Sequence, residues 1–81
     1  MDKRIAVVGI ILEGTDLAEE VNAVLHGYSE IIVGRMGLPY RERGCAVISL
    51  IVDADADRIS ALTGRLGKIK GVSVKAAISK G

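Results

Sequence analysis

Apolar residues occupy both odd and even positions in two long stretches of the chain. These stretches are RIAVVGIIL at residues 4–12 and CAVISLIVDA at residues 45–54. Because successive side chains of a β-strand point to opposite faces, each stretch predicts a strand that is apolar on both sides. EIIVGRMG at 30–37 and GVSVKAAIS at 71–79 predict two further strands, the first of them short.

Two segments between these strands carry apolar residues at helical spacing. The first contains Leu17, Val21, Val24, Leu25 and Tyr28, and the second contains Ile59, Leu62 and Leu66. Asp16 with Glu19 predicts a capping box at the start of the first helix, and Asp55 predicts the N-cap of the second. Gly67 predicts a left-handed residue that closes the second helix.

The order β-α-β-β-α-β predicts an α+β fold, a ferredoxin-like sandwich with a four-stranded antiparallel sheet and both helices on one face. Residues 1–81 then form one domain, and LPYRERG at 38–44 is a loop between the second and third strands. In the first strand, either alternate set of side chains could face the helices because both sets are equally apolar.

Two helices can cover only one face of such a sheet, and the other face would remain an apolar patch of several hundred Å². Another subunit or another protein is therefore the expected cover, and a dimer or tetramer of this chain is the expected assembly. The expected interface residues are Ile5, Val7, Ile11, Tyr40, Val47 and Ile51. The alternative is that long Arg and Lys side chains lie across this face.

Composition narrows the classes of protein that the chain can belong to. Its 81 residues include no Phe and no Trp, and its formal net charge is +1. Nucleic acid is thus an unfavoured partner, since the predicted strands lack an aromatic platform and the charge is not concentrated in a basic stripe. The chain shows no export signal and no membrane-spanning run, and a lone Cys45 suits a reducing compartment, so we expect a cytoplasmic location.

Three segments together carry a resemblance to a known family. These are KRIAVVGIILE at 3–13, SEIIVGRMGLPYRERGCAVISLIVDA at 29–54 and ISALTGRLGKIKGVSVKAAISK at 59–80, with IIVGRMGLPYRERG at 31–44 the most specific part. The chain resembles the regulators of the iron-only hydrogenase system, stand-alone domains of the ACT-like superfamily. The resemblance implies a ferredoxin-like, oligomeric regulatory domain with no established catalytic activity. No cofactor is predicted.

ACT domains hold small ligands such as amino acids where the loop after the first strand meets a neighbouring subunit. The resemblance places that loop at Glu13, Gly14, Thr15 and Asp16. Gly14 would allow close approach of the backbone, but a plain capped turn also accounts for these residues.

Arg35, Arg41 and Arg43 form the second group of candidate ligand-binding residues. Guanidinium groups bind carboxylate or phosphate in a bidentate manner, and they also pair with acidic residues across subunit interfaces. A solvated hairpin tip is the alternative interpretation of the same residues.

Metal binding and catalysis have less support in the sequence. Asp53, Asp55 and Asp57 imitate the start of a calcium loop, but Arg58 and Gly64 stand where Gly and Glu are required, so no metal site is predicted within one chain. An intersubunit site made by Cys45 and His26 is left open. A DNA-binding transcriptional regulator and a metal sensor of the same fold are the alternative functions, and no arrangement of acid, base and nucleophile predicts an enzyme.

Overall fold

The structure is a computed structural model that describes residues 2–14 and 16–80. Its strands are β1 (Arg4–Leu12), β2 (Ile32–Tyr40), β3 (Cys45–Ala54) and β4 (Val72–Ile78). Its helices are α1 (Ala18–His26) and α2 (Ala56–Gly67), and short 3-10 turns lie at Ser29–Ile31 and Arg41–Arg43. The predicted β-α-β-β-α-β order is confirmed, with β1 and β3 at the predicted bounds.

The four strands form one antiparallel sheet in the order β2-β3-β1-β4. The two strands that are apolar on both sides, β1 and β3, lie in the centre of the sheet and pair with each other from Arg4 opposite Ala54 to Leu12 opposite Ala46. The predicted ferredoxin-like α+β fold is therefore confirmed.

Packing against the helices decides which alternate set of strand residues is buried. Ala6, Val8, Ile10 and Leu12 of β1 are at most 1% exposed, and alternate residues of β3 join them. Along the helices, the core includes Val21 and Leu25 from α1, and Ile59, Leu62 and Leu66 from α2. This surface of the sheet is the inner face, and the opposite surface is called the outer face below.

The start of α1 differs from the prediction. The N-cap is Leu17, with no hydrogen bond from a capping side chain, so the predicted capping box of Asp16 and Glu19 does not form. Leu17 packs against the core, and its carbonyl accepts the N–H of Val21 at 3.0 Å. Packing of this leucine thus starts the helix one residue later than the cap motif indicates.

The start of α2 agrees with the prediction, but its end does not. Asp55 is the N-cap, and its Oδ1 accepts the N–H of Arg58 at 2.8 Å. Gly67 is the last helical residue, and its backbone is not left-handed. The next residue, Lys68, also has a right-handed backbone conformation. The left-handed position falls later, at Gly71 with φ 89°.

The predicted loop at 38–44 is only partly a loop, because β2 continues through Pro39 to Tyr40. Pro39 lies opposite Ala46 and lacks an N–H, which is tolerated because β2 is an edge strand of the sheet. Long pairing with the ten-residue β3 extends the strand beyond its predicted end. Only Arg41–Arg43 form the turn, which Gly44 closes with φ 65°.

Arg58 joins α2 to the connection between α1 and β2. Its Nη2 donates to Oε1 of Glu30 at 2.7 Å, and its guanidinium carbon lies 5.3 Å from the centre of the Tyr28 ring. Helix α2 is thereby tied to the segment that leads from α1 into the edge strand β2.

Candidate functional site

The outer face of the sheet is a large exposed apolar surface. Helices cover only the inner face, so no other part of residues 2–14 and 16–80 covers the second alternate set of strand residues. Among these residues, Ile5, Val7, Ile11 and Ile51 are 43–48% exposed, Tyr40 is 42% exposed and Val47 is half-buried. The structure thus places all six expected interface residues on one surface.

Met36 and Leu38 belong to the same surface, although the sequence did not single them out. They are 71% and 57% exposed, and they lie opposite Ser49 and Val47 in the register of β2 with β3. Alternation at Gly34, Met36, Leu38 and Tyr40 is the signal that could have found them. The predicted strand ends at residue 37, so only Gly34 and Met36 of this alternation fall within it, and Leu38 and Tyr40 fall in the predicted loop.

A shallow depression lies in the outer face at Gly9. Across the sheet, Gly9 stands between Ser49 of β3 and Lys75 of β4, and Met36 lies beyond Ser49. Val7 and Ile11 flank Gly9 along β1, so the absent side chain of Gly9 leaves a hollow of about 240 Å³, bordered by Ile11, Val47 and Lys75. This depression has room for one apolar side chain.

A second candidate site is a pocket of about 440 Å³ between the β1–α1 loop and the β2–β3 hairpin. Its lining is mostly apolar, and Arg41 is the charged residue in it. The lining residues are Leu12, Gly14, Ala18, Pro39, Arg41, Gly44, Cys45 and Ala46. We call it the loop–hairpin pocket.

Among the predicted ligand-binding residues that the structure describes, Gly14 and Arg41 come together, and both line the loop–hairpin pocket. Glu13 is held beside it, because its N–H donates to the carbonyl of Gly71 at 2.8 Å. Asp16 and Arg43 are exposed and do not line the pocket. Thr15 lies outside the described residues.

The predicted arginine cluster is divided. Arg35 belongs to β2 and reaches α1, where its Nη2 donates to Oδ1 of Asn22 at 2.9 Å. Arg41 lies at the other end of the same strand, beside the hairpin. The extension of β2 separates the two guanidinium groups, since a strand advances about 3.3 Å per residue.

The residues considered for metal binding are also separate. Asp55 caps α2 and Asp57 lies in its first turn, as the charge pattern of a strand end and helix start predicts. Cys45 lines the loop–hairpin pocket, whereas His26 lies in a groove beside α1. Within residues 2–14 and 16–80, no group of three or more His, Cys, Asp and Glu side chains could hold a metal ion.

Fold and surface together define a small ferredoxin-like α+β domain with an open apolar sheet face. Residues 4–76 match the TM1266-like family, whose description is "Iron-only hydrogenase system regulator, putative". The chain belongs to this family. Its membership in the wider ACT-like superfamily stays a prediction.

Two proteins illustrate the similarity. The structure of uncharacterized protein TM1266 from Thermotoga maritima superimposes with a TM-score of 0.92 at 42% identity, covering 98% of this chain and 100% of that one. A protein of Methanocaldococcus jannaschii named "Putative nickel-responsive regulator" is 36% identical over 58 residues, or 72% of this chain. The matched region spans 40% of that protein's length.

The described part of the chain contains no helix that combines the length and the apolar character needed to cross a membrane.

Proposed function

We propose that the chain is a non-catalytic regulatory domain that acts by associating with further copies of itself through the outer face of its sheet. The observation that carries this proposal is the exposure of apolar residues on the central strands β1 and β3. In a soluble monomer such positions are normally covered or polar. Membership in a family described as hydrogenase-system regulators supports a regulatory role for the assembly.

The size of the outer face suits a stable interface between two copies. Four strands at ~4.8 Å spacing and about nine residues of ~3.3 Å each give a surface on the order of 600 Å² before side-chain relief is counted. A standard protein interface buries about 800 Å² per partner. Charged residues are sparse on the strand positions of this face, with Lys75 and Asp53 toward its margins, and interface cores are typically depleted of charge.

The proposal is tested by measuring the mass of the full chain in solution over a range of concentrations. Light scattering after size-exclusion chromatography should show a dimer or tetramer at micromolar concentration. Ile51→Lys places a charge in the middle of the face and should shift the chain to monomer while its circular dichroism is retained. Ala61→Lys, on the exposed surface of α2, is the matched control and should leave the mass unchanged.

Gly9→Val provides a second test of the same surface, one that introduces no charge. A Cβ at Gly9 would meet its nearest neighbour, the carbonyl oxygen of Lys75, at 3.9 Å, which is ordinary contact. Valine also suits a strand, so the fold should be at least as stable as in the original chain. Because the valine fills the depression that a partner's side chain would enter, self-association should weaken. A monomeric original chain at all concentrations would refute the proposal.

The loop–hairpin pocket supports a second candidate function, the binding of a small carboxylate-bearing ligand such as an amino acid. The apolar lining residues Leu12 and Ala46 could receive an aliphatic side chain, and Arg41 of the same lining could pair with a carboxylate. Glu13, adjacent to Gly14 of the lining, would favour the ammonium group of an amino acid. The pocket volume of about 440 Å³ falls within the range usual for small-molecule sites.

Thermal unfolding in the presence of single amino acids tests this candidate. A ligand that prefers the folded chain raises the melting temperature, and the rise grows with the logarithm of the ligand concentration once that concentration exceeds Kd. Arg41→Gln should abolish the rise, whereas Arg43→Gln, which removes an exposed guanidinium outside the pocket, should preserve it. Equal loss in both variants would indicate unspecific charge attraction.

A further inference from the structure

A separate groove lies between α1 and the edge strand β2, on the side of the molecule that the outer face does not include. It is lined by Asn22, Leu25, His26, Ser29, Ile32 and Arg35. Three parts of the chain converge here, namely the second half of α1, the 3-10 turn that follows it and the first half of β2. We call it the α1–β2 groove, and its volume is about 500 Å³.

The polar side chains of this groove are rich in hydrogen-bond donors. Arg35 offers a guanidinium, Ser29 a hydroxyl, Asn22 an amide and His26 an imidazole. No Asp or Glu is among the residues that line the groove, and the ion pairs of the described residues do not include Arg35. The positive charge of Arg35 is therefore not neutralised by a carboxylate of the described chain.

Arg35 is exposed, but a hydrogen bond to α1 holds its guanidinium in place. Its Nη2 donates to Oδ1 of Asn22 at 2.9 Å, so the guanidinium is drawn across the groove toward α1. This bond also turns the Asn22 amide, whose NH2 group remains available as a donor. Asn22 and His26 are four residues apart and thus share one side of the helix.

The negative end of the α1 dipole works against an anion in this groove, because the helix ends at His26. Hydrogen bonds reduce this effect. The N–H of Gly27 donates to the carbonyls of Ala23 and Val24, and the N–H of Tyr28 donates to the carbonyl of Leu25 at 3.0 Å. Three carbonyls of the last turn, those of Ala23, Val24 and Leu25, therefore have partners. The full charge of Arg35 also exceeds the partial charge of the helix end.

From this arrangement we infer that the α1–β2 groove binds a phosphate monoester of a small molecule, with Arg35, Ser29, Asn22 and His26 around the phosphate and Ile32 beside the organic part. A phosphate group presents several strong acceptor oxygens in a tetrahedral array, which suits donors that arrive from a helix, a turn and a strand. A carboxylate has only two oxygens in one plane and would leave some of these donors without a partner. This site is independent of self-association through the outer face.

Isothermal titration calorimetry of the full chain with phenyl phosphate tests the inference, with benzoate as the planar carboxylate of similar size. Ionic strength is held constant with chloride. We expect saturable binding of phenyl phosphate at one site per chain and weaker binding of benzoate. Arg35→Gln should reduce the affinity for phenyl phosphate about tenfold or more, because a charge-assisted bidentate contact is lost.

His26→Ala is a second variant on the exposed surface of α1, where alanine favours the helix, and it should lower the affinity by a smaller factor. Arg43→Gln is the matched control, since it removes an exposed arginine outside the groove, and it should bind as the original chain does. Absence of saturable binding, equal loss in the Arg35 and Arg43 variants, or benzoate binding as tightly as phenyl phosphate would each overturn the inference.

Discussion

At the scale of single residues, Gly71 holds the turn that leads into β4 and supports the loop after β1. Its φ of 89° is one that residues with a side chain rarely adopt. A Cβ at this position would also lie 2.9 Å from Cδ1 of Leu17. Its carbonyl also accepts the N–H of Glu13. One glycine therefore ties the loop after β1, beside the loop–hairpin pocket, to the start of the neighbouring strand β4.

Gly71→Ala should lower the free energy of unfolding by about 2 kcal/mol, because the left-handed backbone and the contact with Leu17 both oppose a side chain. Gly37→Ala is the control, since a Cβ at Gly37 would meet no atom within 4 Å. Urea unfolding followed by circular dichroism measures both. Equal stability of the two variants would contradict this account of Gly71.

At the scale of elements, α2 is fixed at its start by Asp55 and Arg58. Asp55 satisfies the N–H of Arg58, while the Arg58 side chain pairs with Glu30 and lies over Tyr28. The Arg58 and Glu30 side chains are 43% and 65% exposed, so solvent weakens the ion pair. The contact with Tyr28 adds a contribution that depends on the planar guanidinium.

Arg58→Gln should therefore destabilise the chain by about 1 kcal/mol, with most of the loss retained at high salt because the packing on Tyr28 is not screened. Thermal and urea unfolding at low and high sodium chloride measure this effect. Arg65→Gln removes an exposed arginine from the same helix and should change stability little. A loss that disappears entirely at high salt would assign the role to the ion pair alone.

At the scale of the whole molecule, both faces of the sheet are apolar, but the helices bury the inner face and leave the outer face exposed. Ile48 and Ile51 both belong to β3, yet Ile48 is 6% exposed beneath the helices and Ile51 is 45% exposed on the outer face. A surface as apolar as the core is costly to keep in water, at about 25 cal/mol per Å². This cost is the physical reason to expect a second copy on the outer face.

The two isoleucines give a paired prediction about these faces. Ile48→Lys should cost more than about 3 kcal/mol and leave the chain largely unfolded, because the ammonium group is buried without a partner. Ile51→Lys should remain folded at dilute concentration, as judged by circular dichroism and urea unfolding. If Ile48→Lys were as stable as Ile51→Lys, the inner face would be wrongly assigned.

Much of the fold could be predicted from the sequence. The bounds of β1 and β3 and the N-cap at Asp55 were confirmed, because long apolar runs and a capping aspartate are local signals. The errors lie where distant contacts outweigh local preference. Packing of Leu17 moved the start of α1, and pairing with β3 drew Pro39 into a strand.

For the candidate sites, the sequence predicted individual residues but not which of them lie together in the fold. Gly14 and Arg41 do meet at one pocket, but Arg35 lies in a different groove because the extended β2 carries it away from the hairpin. Met36, Leu38 and the depression at Gly9 emerge only from the register between strands. That register is set by pairing across the sheet, which no local pattern records.

The sequence by itself determined the order of elements and the excess of apolar strand surface, since both follow from which residues are apolar and how they are spaced. Only the tertiary structure decided which alternate set faces the helices, which arginines lie together and where the outer face is hollow. The two sets in β1 are equally apolar, so local chemistry cannot choose between them. Packing of the two helices on one side of the sheet makes that choice.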